Sequence, residues 1–347
     1  MRDYAISQVY PWDKRSLAEV DALLHREGIT RDANLDYICA MRDENDRIIA
    51  TGSCFGSTLR CFAVSREHQG EGLLNEIISH LMEVQMARGN THLFLYTKVG
   101  SARFFGDLGF YEIARVDGTL VFMENRKNGF PGYLKALEKT RTQGVSGALV
   151  MNANPFTLGH QYLAETAAAQ CDTLHLFVLS EDASLVPFAV RKRLVRAGVA
   201  HIPNVVLHDS GPYIISSATF PSYFLKDAAA VIQGHARLDL AVFTKIAGVL
   251  NVTKRFVGEE PTSQVTGLYN EIMVRELPKA GIACHVVPRK QAAGQAISAS
   301  TVRLALKKGD WETLKALVPQ TTLDYFQSPE AAPVLERIRK ADNVIHY

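Results

Sequence analysis

One stretch of the chain, residues 150–160, combines a helix start with residue types that bind phosphate. It opens as an apolar run typical of a strand buried on both faces, is broken at Asn154-Pro155 and continues as a helical pattern from Gly159. The first turn of a helix offers unpaired N–H groups and the positive end of a dipole, and His160 adds a donor or a cation beside them. The stretch therefore predicts a phosphate site built from a strand, a loop and a helix N-terminus.

A second stretch, Ile297–Arg303, lies at another predicted junction between a loop and a helix. Ser298 and Ser300 are of a residue type that caps helices, and Arg303 follows on the first turns. Taken alone, the stretch also fits ordinary helix capping by Ser298 or Ser300, with Arg303 solvated. Its meaning depends on its occurrence together with the first stretch.

The two stretches together resemble the paired signature of the nucleotidylyltransferase superfamily. Thr157, Gly159 and His160 match its (H/T)-x-G-H element, with threonine in place of the first histidine. Residues 297–303 match its I-S-x-[ST]-x-[IV]-R element. The resemblance implies a Rossmann-like domain with a parallel sheet that uses ATP together with Mg²⁺.

The same resemblance implies a role for each matching residue. His160 would stabilise the α-phosphate, Ser298 and Ser300 would bind phosphates, and Arg303 would offset pyrophosphate charge; Thr157 is hypothesised as a further phosphate contact. The predicted catalytic residues are His160, Arg303 and Lys192. The residues predicted to bind ATP are Asn152, Pro155, Phe156, Thr157, Gly159, His160, Gly258, Glu259, Ile297, Ser298, Ser300 and Arg303. No metal-ligating residues are predicted, because ATP itself can hold most of the Mg²⁺.

The remainder of the second half must position these residues. Predicted strands alternate there with helical segments, which indicates βαβ units and a parallel sheet with ligands at the carboxyl ends of its strands. The segments predicted as strands after the first one are 173–179, 205–208, 228–233, 256–258 and 284–287, and residues 191–200 are predicted as a helix.

Several segments near these strand ends have two interpretations each. Lys192 lies in a cationic run that could meet a triphosphate or could begin a solvated helix. Gly258 and Glu259 resemble the superfamily loop beside the nucleotide, although a plain turn explains them nearly as well. Small polar residues at 208–213 and 216–221 could line a substrate pocket or could belong to ordinary loops.

The first part of the chain contains another strand, glycine turn and helix start. A predicted strand leads into Gly70 and Gly72, after which apolar residues recur at helical spacing from Leu73. Together with a Leu-Gly-Phe ending at 108–110, this resembles the GNAT acyltransferase fold and its acyl-CoA-binding loop. Glu67 departs from that loop, which prefers Gln or Arg there, and the fold could also be kept for packing without turnover. The residues predicted to bind a CoA-type pantetheine arm are His68, Gln69, Gly70, Gly72 and Leu73.

The predicted fold class is therefore α/β, with a GNAT-like domain at residues 1–130 and a Rossmann-like nucleotidylyltransferase domain at 146–347. A polar segment at 125–132, rich in glycine and proline, marks the junction. The linker is placed at 131–145, and a short helix is predicted at 133–141.

Composition narrows the possible classes of protein. A length of 347 residues suits two domains, and a net charge of +2 gives no reason to expect nucleic acid as a partner. We find neither a secretory leader nor an apolar run long enough to cross a bilayer, so we expect a cytoplasmic protein without membrane partners. Five cysteines without close pairs predict reduced thiols and no structural zinc.

The predicted site supplies positive charge but no obvious nucleophile, which suits nucleotidyl transfer to a bound substrate. A carboxylate is already ionised at neutral pH and would attack the α-phosphate without a general base, giving an acyl-adenylate. A pantetheine-binding domain could present a thiol to that intermediate. The two halves therefore fit a ligase that joins a carboxylate to a thiol.

This pairing of domains, in this order and at this length, resembles the citrate lyase ligase family over nearly the whole chain. The resemblance implies ATP-dependent acetylation, from acetate, of the CoA-derived prosthetic thiol on the citrate lyase acyl carrier protein, with release of AMP and diphosphate and activation of citrate lyase. Two alternatives stay open: a coenzyme nucleotidylyltransferase with a regulatory GNAT domain, and a nonenzymatic module that senses nucleotide and CoA.

Overall fold

The computed structural model describes residues 4–214, 228–260, 264–292 and 294–344. Two compact units account for them: one lies within residues 1–133 and 219–241, and the other within 134–218 and 242–347. No helix within the described residues is long and apolar enough to cross a membrane. All five cysteines are free thiols, as the sequence predicts.

The first unit is built on a mixed sheet with helices against it. Its elements are β1 (Ile6–Gln8), α1 (Lys14–Arg26), β2 (Tyr37–Arg42), β3 (Ile48–Phe55), β4 (Thr58–Val64), α2 (Leu73–Ala87), β5 (Phe94–Thr97), α3 (Ala102–Asp107), β6 (Tyr111–Val116) and β7 (Leu120–Glu124). The strand order is β1-β2-β3-β4-β5-β7-β6. Helix α2 buries Ile77 and Leu81, and a Cβ at Gly52 of β3 would lie 2.4 Å from the Ile77 side chain. Glycine in this strand therefore allows the helix to pack closely.

The sheet opens between β4 and β5, which form its one parallel pair among the described strands. Their register covers only Thr58 with Phe94 and Leu59 with Leu95, although β4 continues to Val64 and β5 to Thr97. Past these two pairs the strands no longer share a ladder. The carboxyl ends of both strands therefore border a cleft rather than a continuous sheet.

Helix α4 (Gly129–Glu138) follows β7. The sequence predicts a helix at 133–141 instead, so its start lies four residues earlier than predicted. The N–H group of Phe130 donates to the buried carboxylate of Glu124 at 2.5 Å, which caps the first turn, and Pro131 is tolerated there because that turn requires no N–H donor. The breaker-rich composition of the segment therefore marks a helix start.

The second unit is built on a parallel sheet. Its elements are β8 (Ser146–Met151), α5 (Leu158–Ala168), β9 (Thr173–Val178), α6 (Phe188–Gly198), β10 (Val205–Asp209), α7 (Ala228–Leu250), β11 (Val252–Gly258), α8 (Gln264–Glu276), β12 (Ala283–Val287), β13 (Gln291–Ala292), β14 (Gln295–Ala296), α9 (Ala299–Lys308), α10 (Trp311–Leu317), α11 (Gln320–Gln327) and α12 (Ala332–Lys340). The division between the units falls within α7, after Ala241.

The strand order is β10-β9-β8-β11-β12, and every neighbouring pair is parallel. Strand β8 lies at the centre and is apolar because both its faces are covered; Ala148 and Leu149 are buried. Since parallel strands end at the same edge, the chain leaves β8, β9, β11 and β12 on one side of the sheet. The α/β fold class is confirmed: the first unit has a mixed sheet and the second has a parallel, Rossmann-like sheet.

One predicted strand is wrong. Residues 228–233 form the start of α7. In a short apolar run such as this one, hydrophobic periodicity does not distinguish a helix from a strand. The segment also opens with three alanines, the residue with the strongest intrinsic preference for helix. The strands predicted at 173–179, 205–208 and 284–287 agree with β9, β10 and β12 to within one residue at each end. The strand predicted at 256–258 corresponds to β11, which begins four residues before the predicted start.

A buried pair of histidines lies between two strands of the parallel sheet. His175 in β9 is fully buried, and its Nδ1 lies 2.9 Å from Nε2 of His208 in β10. Burial lowers the pKa of His175 to about 4, and burial together with the neighbouring imidazole lowers the pKa of His208 to about 4. Both rings are therefore neutral at pH 7.

We expect this pair to make the second unit sensitive to acid. An unfolded histidine titrates near pH 6.5, above the folded value, so between pH 6.5 and 4 the unfolded chain binds more protons. Stability is full above that window and falls as pH decreases through it, by up to about 1.4 kcal/mol per pH unit for each histidine. Urea unfolding followed from pH 7.5 to 4.5 measures the slope. His208→Gln should flatten it relative to His201→Gln, a change at an exposed position of the same unit; equal slopes would contradict the assignment.

Candidate functional site

The loop after β8 is held from beneath by packing. Phe156 is fully buried, and a Cβ at Gly198 of α6 would lie 2.2 Å from its ring. Asn154 is also buried and precedes a cis peptide bond to Pro155; its side-chain oxygen accepts a hydrogen bond from the N–H of Val186 at 3.0 Å. Phe156 and Pro155, both predicted to bind ATP, are buried side chains that shape the loop.

The loop ends in a reciprocal cap at the start of α5. The hydroxyl of Thr157 accepts a hydrogen bond from the backbone N–H of His160 at 3.3 Å, and the backbone N–H of Thr157 donates to Nδ1 of His160 at 3.1 Å. A backbone N–H can only donate, so Nδ1 is the acceptor. The neutral ring therefore carries its proton on Nε2.

The surroundings keep that ring neutral. Burial, together with the positive charge of Arg289, lowers the pKa of His160 to about 4. At neutral pH, His160 is thus a hydrogen-bond donor through Nε2 rather than a cation. Such a donor can stabilise a phosphate oxygen without giving up its own proton.

The start of α9 lies against the start of α5. A Cβ at Gly159 would lie 3.3 Å from the carbonyl oxygen of Ile297, so a larger residue would push the two segments apart. Ser298 caps α9 by accepting from the N–H of Thr301 at 3.1 Å, and its hydroxyl lies 2.9 Å from that of Ser300. The structure therefore brings the two predicted phosphate stretches together.

Arg303 lies beneath this arrangement. Its side chain is buried; Nη1 donates to the carbonyl oxygen of Asn154 at 2.5 Å, and Nε donates to that of Val344 at 2.6 Å. Burial lowers the pKa of its guanidinium to about 10, so it remains charged at pH 7. In this conformation, Arg303 ties the loop after β8 to α9 and to the last described residues.

The cationic run at the start of α6 is divided between two roles. Arg191 is buried, and its guanidinium donates to backbone carbonyl groups of the loops after β8 and β9; the acceptors are Asn152, Leu179, Glu181 and Val186. Lys192 is partly exposed and pairs with Asp209 at the end of β10, at 2.7 Å. The sequence pattern does not distinguish the two residues, although only Lys192 points toward solvent.

The loop after β11 packs against α5. A Cβ at Gly258 would lie 3.6 Å from the side chain of Leu163, and the N–H of Glu259 donates to the carbonyl oxygen of Val287 in β12 at 2.8 Å. The side chain of Asn152, another predicted ATP-binding residue, donates to Ser184 at 3.0 Å. These predicted residues therefore lie at the carboxyl ends of β8 and β11.

One charged residue of the site is missing from the sequence predictions. Arg289 follows β12; its Nε donates to the carbonyl oxygen of Glu259 at 2.7 Å, and its guanidinium pairs with the carboxylate of Glu260. Its charge reaches His160. The signal was present as two cations, Arg289 and Lys290, directly after a parallel strand. The small polar segment at 216–221 lies outside the described residues.

The first unit contains a separate cavity of about 710 Å³ where β4 and β5 diverge. Gly70 and Gly72 adopt left-handed φ angles of 89° and 84°, and no side chain caps the N-terminus of α2. The first backbone N–H groups of this helix therefore have no side-chain acceptor, which leaves this helix start open to an anion. Aromatic side chains including Phe62, Tyr96 and Phe104 form other walls. Every residue predicted to bind a pantetheine arm lines this cavity: His68, Gln69, Gly70, Gly72 and Leu73.

Comparisons with solved structures cover the first third of the chain. An acyl-CoA N-acyltransferase from Klebsiella pneumoniae matches with a TM-score of 0.31 and 19% identity, over 35% of this chain and 95% of that chain. The ribosomal-protein-S18-alanine N-acetyltransferase of Escherichia coli matches with a TM-score of 0.29 and 18% identity, over 35% and 92%.

Comparisons of sequence cover nearly all of it. Residues 146–326 match the family model described as the citrate lyase ligase C-terminal domain. A citrate (pro-3S)-lyase ligase of Escherichia coli is 39% identical over 91% of this chain and 92% of its own length. Another, of Haemophilus influenzae, is 37% identical over 91% and 96%. Both the model and the full-length relatives therefore show that the chain belongs to the citrate lyase ligase family.

Proposed function

We propose that this ligase activates acetate with ATP as acetyl-adenylate in its second unit. The acetyl group then passes to the CoA-derived prosthetic thiol of the citrate lyase acyl carrier protein, which activates citrate lyase. The relatives are named as ligases that act on citrate lyase, which supports the acceptor. The observation that carries the adenylation step is the neutral His160, held as a donor between the adjoining starts of α5 and α9.

In the first step, an acetate oxygen attacks the α-phosphorus of ATP and the bond to diphosphate breaks. Carboxyl groups titrate at roughly pH 4 to 5, so acetate is ionised at pH 7. Its attack on the phosphorus therefore needs no general base. The Nε2–H of His160 and the N–H groups at the two helix starts would face the charge that develops on the phosphate oxygens. Lys192 adds a positive charge at the same sheet edge, and Arg303 keeps the loop in position.

The ATP used in this reaction is expected to carry Mg²⁺. No group of three His, Cys, Asp or Glu side chains that could hold a metal occurs in the part of the chain that the structure describes. The proposed steps therefore use only the protein's hydrogen-bond donors and cations.

In the second step, the thiolate of the prosthetic arm attacks the acetyl carbon, and the bond between that carbon and the AMP oxygen breaks. The products are a thioester and AMP, and the thiol proton is lost because only the thiolate is an efficient nucleophile. The cavity of the first unit, with its open helix start and aromatic walls, supports binding of the pantetheine arm. Both roles of this cavity, docking and thiol transfer, are compatible with its lining.

Exchange of labelled diphosphate into ATP tests the first step directly. With purified protein and Mg²⁺, we expect exchange that depends on acetate and requires no carrier protein, because acetyl-adenylate formation is reversible. ATP binding without exchange would favour the sensing alternative. Formation of a dinucleotide from a phosphorylated acceptor would favour the coenzyme nucleotidylyltransferase alternative.

The role of His160 predicts a specific loss. His160→Ala should lower the exchange rate by about 10²- to 10³-fold, the typical effect of removing one donor to a developing oxyanion. Since the pKa of His160 is lowered to about 4, the wild-type rate should show no loss from its titration between pH 6 and 8. Circular dichroism checks that the variant is folded. Full exchange activity in the folded variant would refute the assignment.

If the cavity of the first unit binds the pantetheine arm, a variant that fills it should impair the transfer step and leave the adenylation step intact. Gly100 lines the cavity and has ordinary backbone angles, and a Cβ at this position would have no atom within 4 Å, so Gly100→Phe should fill the space without strain. We expect a KM for the carrier protein raised by about tenfold or more, with acetate-dependent exchange unchanged. Gly106→Phe, at an exposed position outside the cavity lining, is the matched control. Equal effects of the two variants on carrier KM would argue against arm binding here.

A further inference from the structure

Most strong cations near the phosphate site are already bound to the protein itself. The guanidinium groups of Arg191 and Arg303 are buried and donate to backbone carbonyl oxygens that hold the loops. Withdrawing either group toward a ligand would leave buried carbonyl groups without a donor, which costs free energy. The charge of a triphosphate therefore requires a cation that can change partners.

Arg289 meets that requirement. Its side chain is 24% exposed and makes two contacts of different kinds. Nε donates to the carbonyl oxygen of Glu259 at 2.7 Å, whereas Nη2 pairs with the carboxylate of Glu260. The first contact can position the side chain while the second is exchanged, because the two contacts use different nitrogens of the guanidinium.

The backbone around Arg289 is tied to the first turn of α5. The carbonyl oxygen of the next residue, Lys290, accepts a hydrogen bond from the N–H of Ile297 at 3.0 Å. The carbonyl oxygen of Ile297 in turn lies 3.3 Å from the Cβ position of Gly159. The ammonium of Lys290 lies 5.9 Å from the ring centre of Tyr162, in the second turn of α5. Arg289 thus lies beside the phosphate site, and its effect on the pKa of His160 agrees with this placement.

We propose that Glu260 and Arg289 form an exchangeable anion site, in which Glu260 holds the guanidinium until the β- and γ-phosphates of a nucleotide displace its carboxylate. Arg289 then binds the diphosphate portion as it becomes the leaving group. The identity of the anion rests on the proposed function. A polyphosphate carries several negative charges and offers bidentate acceptors, so it competes well with a single carboxylate for one guanidinium.

This proposal predicts opposite effects for the two partners. Arg289→Gln should weaken ATP and diphosphate binding by about 10- to 100-fold, the usual effect of losing a charged hydrogen bond. Glu260→Gln removes the competing carboxylate but leaves the carbonyl of Glu259 to position Arg289, so binding of both should tighten by about two- to tenfold. A purely structural ion pair predicts weakening in both variants.

Isothermal titration calorimetry with ATP, AMP and inorganic diphosphate, all without acetate, measures these changes. AMP lacks the β- and γ-phosphates, so its affinity should be the same in all variants. Arg275→Gln and Glu276→Gln, at an ion pair at the end of α8, are matched controls and should leave all three affinities unchanged. Weaker ATP binding in Glu260→Gln, or an equal loss of AMP and ATP binding in Arg289→Gln, would overturn the proposal.

The test of the anion site can fail or succeed independently of the test of the proposed reaction. If wild-type protein shows no acetate-dependent exchange but the two variants still change ATP affinity in opposite directions, the proposed reaction fails and the anion site stands. If exchange depends on acetate and the opposite changes are absent, the reaction stands and the anion site fails.

Discussion

The candidate site depends on the reciprocal hydrogen bonds between Thr157 and His160. One bond satisfies a backbone N–H at the start of α5, and the other fixes which nitrogen of the imidazole carries the proton. The same contact thus completes a helix and prepares a donor. Burial keeps the ring neutral at pH 7, so its single N–H group, at Nε2, is available to donate to a phosphate oxygen. Threonine, in place of the first histidine of the superfamily signature, fulfils the capping role.

The loops around that helix are organised by buried guanidinium groups. Arg191 joins carbonyl groups from the loops after β8 and β9, and Arg303 joins the first of these loops to Val344. Each arginine has several fixed donors in a plane, which allows one side chain to hold two separate pieces of backbone. A charge that sequence patterns associate with phosphate can therefore serve the scaffold, while Arg289 remains able to meet a ligand.

The candidate site of the second unit and the cavity of the first unit arise from different features of their sheets. In the second unit, parallel strands end along one edge, where the loops that leave them form the candidate site. In the first unit, β4 and β5 pair over two positions and then separate, which opens a cavity beside the glycine turn before α2. The two proposed roles have different requirements: adenylation requires charge and fixed donors, and binding of a thiol arm requires depth and apolar walls.

Several local features of this protein can be predicted from its sequence: a helix that opens at about Gly159, a cap at Ser298 or Ser300, the glycine turn before Leu73 and the alternation that makes the second sheet parallel. These follow from residue type and spacing over a few positions. The strand predicted at residues 228–233 is wrong because a short apolar run carries no decisive period and only its place within a long helix defines it. Which cations face a ligand depends on tertiary packing, since Arg191 and Lys192 are neighbours in sequence with opposite environments. The same packing places the charge of Arg289 where it lowers the pKa of His160, because the pairing of β8, β11 and β12 brings together segments that are far apart in sequence.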